Sequence, residues 1–462
     1  VSGVRARPSR ATRADRPARP GHGTALAVLS GAVFMAMLDN LALNNALPHI
    51  GEEMRLGVSG LQWVVAGYTL VFAAFLLSGS VLGVRLGQRR AFLGGMLAFC
   101  AGSALSALAP DWATLVTGRV VQGLGAAVLM PASMGLLRHV FTDEARRTRA
   151  MGVRGGAGGL GVALGPTIGG PLVDAFGWRS VMWINLPVGA VLMLLALRVL
   201  PRVAPAPARW DPAGQALAVT GLGSLVYALV QGPVDGWTAP AILATLAFAV
   251  VALPAFAVVE WRAPAPMLDV RVLRDPVTSA AAVACFAASL GLFGGIFFLT
   301  LYLQDVLHWS ATGAGLVFLS ASGFIVPAAP AAGALYARYG PRPPLLCGLL
   351  LCAVSLAGLS RCGRDASFRD FGWLLPVLGA GVGLTFVSAV IAAVQRASPE
   401  RTAMTSAFMD TLRELGGVVG VAALGAVLGS RMRAALVDRA TAAGVPDALA
   451  RDLAGSVSVS YT

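Results

Sequence analysis

Residues 24–48 read TALAVLSGAVFMAMLDNLALNNALP, and the class of fold follows from this stretch. Twenty-four consecutive residues, Thr24 to Leu47, carry one charge, that of Asp39. At ~1.5 Å per residue such a run crosses the ~30 Å hydrocarbon core of a bilayer as one helix. An ionised side chain within such a span costs several kcal/mol unless it is paired, hydrated or neutral. Asp39 therefore demands a partner from elsewhere in the chain.

The rest of the chain repeats the pattern. Hydrophobic residues make up 56% of the sequence and charged residues 12%, against about 25% charged in soluble domains. So little charge cannot cover a water-facing surface of this size. Thirteen apolar runs are separated by charge, Pro or Gly: 24–47, 61–82, 91–109, 114–137, 151–172, 181–200, 213–230, 241–259, 277–303, 313–337, 345–359, 371–394 and 403–429. The run 345–359 is short and must borrow flanking residues to span. The 56 glycines suit helices packed closely in lipid, where small residues let backbones approach. The expected fold is an all-α polytopic helical bundle.

All 35 basic residues are Arg. Without Lys there is no Walker A phosphate loop and no Schiff-base chemistry. With the N-terminus placed in the cytoplasm, 25 arginines fall in cytoplasmic loops, tail and nearby helix ends, nine fall outside, and Arg119 lies within a span. This asymmetry sets the orientation. The net charge of +13 then reflects topology and attraction to anionic lipid, with no nucleic-acid partner expected. A bacterial inner (plasma) membrane is the expected location, and a monomer the expected state. Cys100, Cys285, Cys347, Cys352 and Cys362 fit neither a zinc site nor a disulfide framework and read as small buried hydrophobes. The four histidines lack metal-ligand spacing. No metal, cofactor or enzyme activity is expected.

The spacing of Leu82, Arg85, Gly87 and Arg89 after the second run recurs as Leu335, Arg338, Gly340 and Arg342 after the tenth. Related halves are a signature of secondary transporters. The expected organisation is a disordered basic tail (1–23), a first six-helix half (24–200) and a linker with two inserted helices (201–276). A second half with five visible helices (277–429) and a polar tail (430–462) follow.

Three groups carry the expected chemistry. Asp39 lies ~12 Å and Arg119 ~8 Å below the same membrane face, close enough to form a proton-coupling pair or a structural ion pair. Gly161, Gly165, Pro166, Gly169 and Gly170 form a flat, kinked helix face for close packing, either a plain packing surface or a hinge in alternating access. Asp410, Arg413 and Glu414 share one face of the last run, as a salt-bridge cluster or as part of a gate. With Asn44 and Gln122 they are the expected lining of a substrate cavity. The string Gly156-Ala-Gly158-Gly159-Leu-Gly161 matches a dinucleotide fingerprint but has no preceding strand and lies in a membrane span.

At these residues the chain resembles the fourteen-helix drug:proton antiporters of the major facilitator superfamily. Leu38-Asp39 with Ala46-Leu47-Pro48, Gln62-Trp63 with Tyr68, Arg119 with Gln122, Gly123, Gly125 and Pro131, the Gly161–Gly170 segment, Asn185-Leu186-Pro187, and Leu412-Arg413 with Leu415-Gly416-Gly417 all match that pattern. The resemblance implies a proton-coupled exporter of small amphipathic molecules, with protons and small-molecule substrate as partners. A specific metabolite or siderophore exporter, and a transport-dead sensor or scaffold, are the alternatives. Val84 and Ala337 stand where the family carries Asp in the loop linked to gating, and the family's fourteenth span has no counterpart in the sequence.

Overall fold

The computed structural model describes residues 21–207, 211–263, 270–363, 365–396 and 402–442. Residues 1–20 of the expected basic tail, parts of the linker and the last twenty residues lie outside them. Thirteen helical segments follow in order: α1 (His22–Met54), α2 (Val58–Leu86), α3 (Gln88–Ala107), α4 (Trp112–Val140), α5 (Glu144–Phe176), α6 (Arg179–Val199), α7 (Pro212–Asp235), α8 (Pro240–Arg262), α9 (Pro276–Val306), α10 (Ala311–Tyr339), α11 (Arg342–Leu359), α12 (Phe368–Arg396) and α13 (Thr402–Ala442). They match the thirteen expected runs one for one. The last helix continues past Gly429 to Ala442, into the stretch expected to be a polar tail. Twelve are long and apolar enough to cross a membrane. The exception is α5, whose nine glycines and charged first turns lower its hydropathy; packing identifies it as a spanning helix.

The halves repeat their pairing pattern. In the first, α1 packs on α5, and α4 on both α2 and α3; in the second, α9 packs on α13, and α12 on both α10 and α11. The halves meet through α5 against α10 and α2 against α13, and these two contacts exchange under the same correspondence. The inserted pair is asymmetric: α7 packs on both α2 and α13, with α8 outside it. About 17% of the apolar window of α8 is buried, against 72% for α1, so α8 is peripheral and α1 central.

The repeated loop motif is a helix stop. Gly87 and Gly340 hold φ of 86° and 80°, a left-handed region that glycine enters without Cβ strain. Arg85 and Arg338 lie in the last turns of α2 and α10, where a cation offsets the helix dipole. Arg89 donates to the Leu197 carbonyl, Arg342 opens α11, and the Val84 carbonyl accepts from the Ala206 N–H. Of the cysteines, Cys285 and Cys352 are buried, whereas Cys347 faces outward.

The flat face of α5 rides on α1. A Cβ on Gly161 would lie 2.6 Å from the Phe34 carbonyl oxygen, one on Gly165 2.7 Å from the Leu41 Cβ, and one on Gly169 2.8 Å from the Ala42 oxygen. Gly170 turns to the other half and abuts the Ala311 carbonyl. Gly152, Gly155, Gly156 and Gly159, nearer the start of α5, have open space around them.

This difference predicts a graded response. Gly165→Val should cost about 1–3 kcal/mol through forced displacement of α1, seen as a lower thermal midpoint in detergent. Gly156→Ala should be neutral or slightly stabilising, because a helical alanine gains about 0.5–1 kcal/mol over glycine where nothing obstructs it.

Candidate functional site

The demand that Asp39 makes on the sequence is met within the first half. Arg119 on α4 places Nη1 2.7 Å from Asp39 Oδ2, and both side chains are 0% exposed. The same Nη1 donates to Gln122 Oε1 at 3.0 Å, while Gln122 Nε2 reaches Asp39 Oδ1 at 3.3 Å. Arg119 and Gln122 are three residues apart and so share one helix face. The guanidinium lies over the Tyr68 ring of α2, 4.5 Å from its centroid. Its Nε and Nη2 meet no acceptor among the described residues. Glycines bring α3 in behind the pair: a Cβ on Gly102 would lie 2.5 Å from the Gln122 N, and one on Gly125 2.5 Å from the Phe99 N.

A second polar group lies between the halves. Asn40 and Asn44 of α1 and Thr69 of α2 line a narrow cavity with Phe293 of α9 and Glu414 of α13. Asn44 and Glu414 are therefore brought together as expected, whereas Gln122 belongs to the Asp39 network and not to this cavity. Arg413 lies 3.4 Å from Asp410 and 3.0 Å from Glu414, so the three form one cluster; Glu414 is buried and Asp410 about half exposed. On the opposite flank of α1 an apolar cavity is lined by Leu41, Val162, Pro166, Phe318, Ile325 and Leu378.

The halves are sealed at the end where α1 finishes. Asn45 Nδ2 donates across the interface to the Ala311 carbonyl at 3.2 Å and to the Pro166 carbonyl at 2.7 Å, and the Asn45 carbonyl accepts from Gln304 at 3.2 Å. Asp174 of α5 accepts the Ala311 and Thr312 N–H groups at 3.1 and 2.8 Å, placing a carboxylate at the amino end of α10, where the helix dipole favours it. Toward the His22 end, the first turns of α5 and the last turns of α10 are largely exposed. Arg154 lies on this side, bonded to Ser133 and the Met130 carbonyl at 3.0 Å each. The hydrogen bonds between the halves thus close the end where α1 finishes.

Sequence reasoning weighted ionisable groups inside the spans and so missed the neutral Asn45 and Gln304, and Asp174, which lies just past the end of its apolar run, as members of these networks. Each is a polar residue on or beside an apolar run, a weak signal that becomes informative once its neighbours are known. The loop-motif arginines lie at the His22 end, apart from the ion pair.

Residues 29–421 match the family described as Major Facilitator Superfamily. The chain is 34% identical over 429 residues to the multidrug resistance protein Stp of Mycobacterium tuberculosis (strain ATCC 25618 / H37Rv), covering 92% of this chain and 79% of that one. It is 33% identical over 425 residues to the tetracenomycin C resistance and export protein of Streptomyces glaucescens, with the same coverages. A puromycin resistance protein of Streptomyces alboniger is 34% identical over 422 residues, 90% of this chain and 84% of that one. Among solved structures, a bacterial homologue of the human lysosomal transporter Spinster, inward-facing and unoccupied, aligns with a TM-score of 0.65 at 16% identity, over 96% of this chain and 89% of that one.

Removing one partner of a buried pair strands the other. Arg119→Leu should cost about 3–5 kcal/mol by leaving Asp39 unpaired, seen as lost folded yield. The double variant Asp39→Asn/Arg119→Leu should recover much of that yield in size-exclusion profiles, because no uncompensated charge remains.

Proposed function

The chain belongs to the Major Facilitator Superfamily, and we propose that it exports small amphipathic antibiotics or other drugs in exchange for protons that bind at Asp39. Its relatives are multidrug, tetracenomycin C and puromycin resistance proteins, which supports efflux. The observation that supports proton coupling is the fully buried Asp39–Arg119 pair.

Protonation of Asp39 removes the counter-charge of Arg119 and leaves a cation inside a low-dielectric bundle, a penalty of several kcal/mol. The Tyr68 face and Gln122 offset only part of it. The pair must therefore rearrange when the proton arrives, and α1 must take part. The same helix presents Asn40 and Asn44 to the cavity between the halves and Asn45 to the seal. A shift of α1 at Asp39 thus reaches both the substrate cavity and the gate, which gives proton and substrate one mechanical connection. In this reading Glu414, Asn44 and the Asp410–Arg413 cluster bind or admit the substrate's polar part, and the apolar cavity beside Leu41 takes its hydrophobic part.

Arginine asymmetry supports a cytoplasmic N-terminus in a bacterial inner membrane. The Asn45–Asp174 seal then faces outward and the exposed turns of α5 and α10 face the cytoplasm, an arrangement suited to loading an exporter. Reporter fusions at the N-terminus and after Ala442 should signal from opposite sides of the membrane; signals from one side would refute the odd number of spans.

Everted vesicles carrying the protein should accumulate at least one of puromycin, tetracenomycin C or methylenomycin A under a proton gradient and release protons when it is added. Asp39→Asn, which keeps side-chain size and removes titration, should fall to the level of vesicles lacking the protein at matched expression. Unchanged proton exchange in that variant would place the coupling site elsewhere, with Glu414 the next residue to replace. A native metabolite as the sole cargo would show as failure of all three drugs with export of that metabolite intact.

A further inference from the structure

The sixth span carries a break in its helical ladder. It is interrupted at Ile184, between a short turn (Arg179–Trp183) and a longer helix (Asn185–Val199). Pro187 offers no N–H to the Trp183 carbonyl, which accounts for the interruption one turn earlier. Asn185 stands at the break and is 1% exposed.

Its amide nitrogen is fully committed, while its buried oxygen meets no donor among the described residues. Nδ2 donates to Asp39 Oδ1 at 2.6 Å and to Ser103 Oγ at 3.0 Å, which uses both amide hydrogens. Ser103 accepts that bond and donates its own hydrogen to the Met182 carbonyl at 2.8 Å. One chain of bonds therefore runs from the backbone at the break in α6, through Ser103 of α3 and Asn185, to the Asp39 carboxylate. Every partner that Asp39 meets is a donor: Arg119 at Oδ2, and Gln122 and Asn185 at Oδ1.

We propose that Asn185 is a positioning residue for Asp39: it holds the ionised carboxylate toward Arg119 and carries the change of protonation state to the break in the sixth span through Ser103. The inference rests on the reading of Asp39 as the proton-coupling group. A proton on Oδ1 would set an O–H against the Asn185 N–H, donor against donor, and that bond must then rotate or part; a proton on Oδ2 would instead face Arg119 and weaken the Asn185 bond by removing its charge assistance. Asn185 is mounted where Pro187 already leaves the helix ladder one bond short. The charge-assisted bond at 2.6 Å belongs to the strong class, so it senses ionisation rather than merely filling space.

Infrared spectroscopy of the lipid-reconstituted protein tests this without a transported ligand. The Asp39 carboxylate band is assigned as the one lost in Asp39→Asn. In Asn185→Leu, near-isosteric but without donors, that band should change frequency, and in Ser103→Ala it should move in the same direction by less. Ser103→Ala removes only a hydroxyl, so it keeps the test open if Asn185→Leu folds poorly. An Asp39 band unchanged in both variants would overturn the proposal and leave Asn185 a packing residue. If Asp39→Asn retains normal proton exchange in vesicles, the coupling reading fails by itself, while the band shift still decides whether Asn185 holds the carboxylate.

Discussion

The rest of the structure is organised around one ion pair that water does not reach. Asp39 and Arg119 are both fully enclosed, and neither charge is tolerable alone in that environment. The pair fixes α1 against α4, and its satisfaction draws in Gln122, Asn185, Ser103 and the Tyr68 face. Five helices, α1, α2, α3, α4 and α6, thus contribute to one polar island inside an otherwise apolar half. The close approach this needs is made possible by glycines on α3 and α4, where a methyl group would collide with the neighbouring backbone.

From that island α1 reaches outward in three directions. Asp39 faces into its own half, Asn40 and Asn44 face the cavity shared with the second half, and Asn45 clasps α5 and α10 at the closed end. These four residues lie within about two turns of one helix, which could not be rearranged at one of these points without strain at the others, because packed interiors transmit displacement. The glycine face of α5 lies flush against α1. Gly161, Gly165 and Gly169 leave no side chains to interlock, and Gly170 carries the same close contact into α10.

The halves are related by their pairing pattern, yet the assembly is not symmetric. The inserted helix α7 fills the side where α2 and α13 meet. Gln215 bonds both Ser78 and the Ala74 carbonyl, Trp237 donates to Ser430 at 3.1 Å, and Arg433 bonds the Val234 carbonyl. No equivalent helix among the described residues lies over α5 and α10. The polar bonds of α7 and of Trp237 just beyond it therefore tie both halves together on this side.

Much of this was legible in the sequence because the signals are local. Hydropathy over about 20 residues locates a span, Arg counts orient it, and the recurring Arg-x-Gly-x-Arg turn marks the repeat. Depth arithmetic also paired Asp39 with Arg119, since two lone charges in apolar helices have few ways to avoid the cost of burial. The α5 span was legible as the apolar run 151–172, although the full helix with its charged first turns falls short in hydropathy. Gln122 was expected in the substrate cavity and instead completes the ion pair; Asn185 gave a family match, but no local sign that it touches Asp39. Those relations depend on how helices 80 to 146 residues apart in the chain rotate about their own axes and which faces they present. The sequence by itself determined a helical membrane bundle with one unavoidable buried pair. Tertiary packing alone decided which neutral polar side chains surround that pair, which end of the bundle is closed, and which side of the interface α7 covers. A neutral amide or hydroxyl costs little enough to bury that its position is not forced until a specific partner is brought within hydrogen-bond reach.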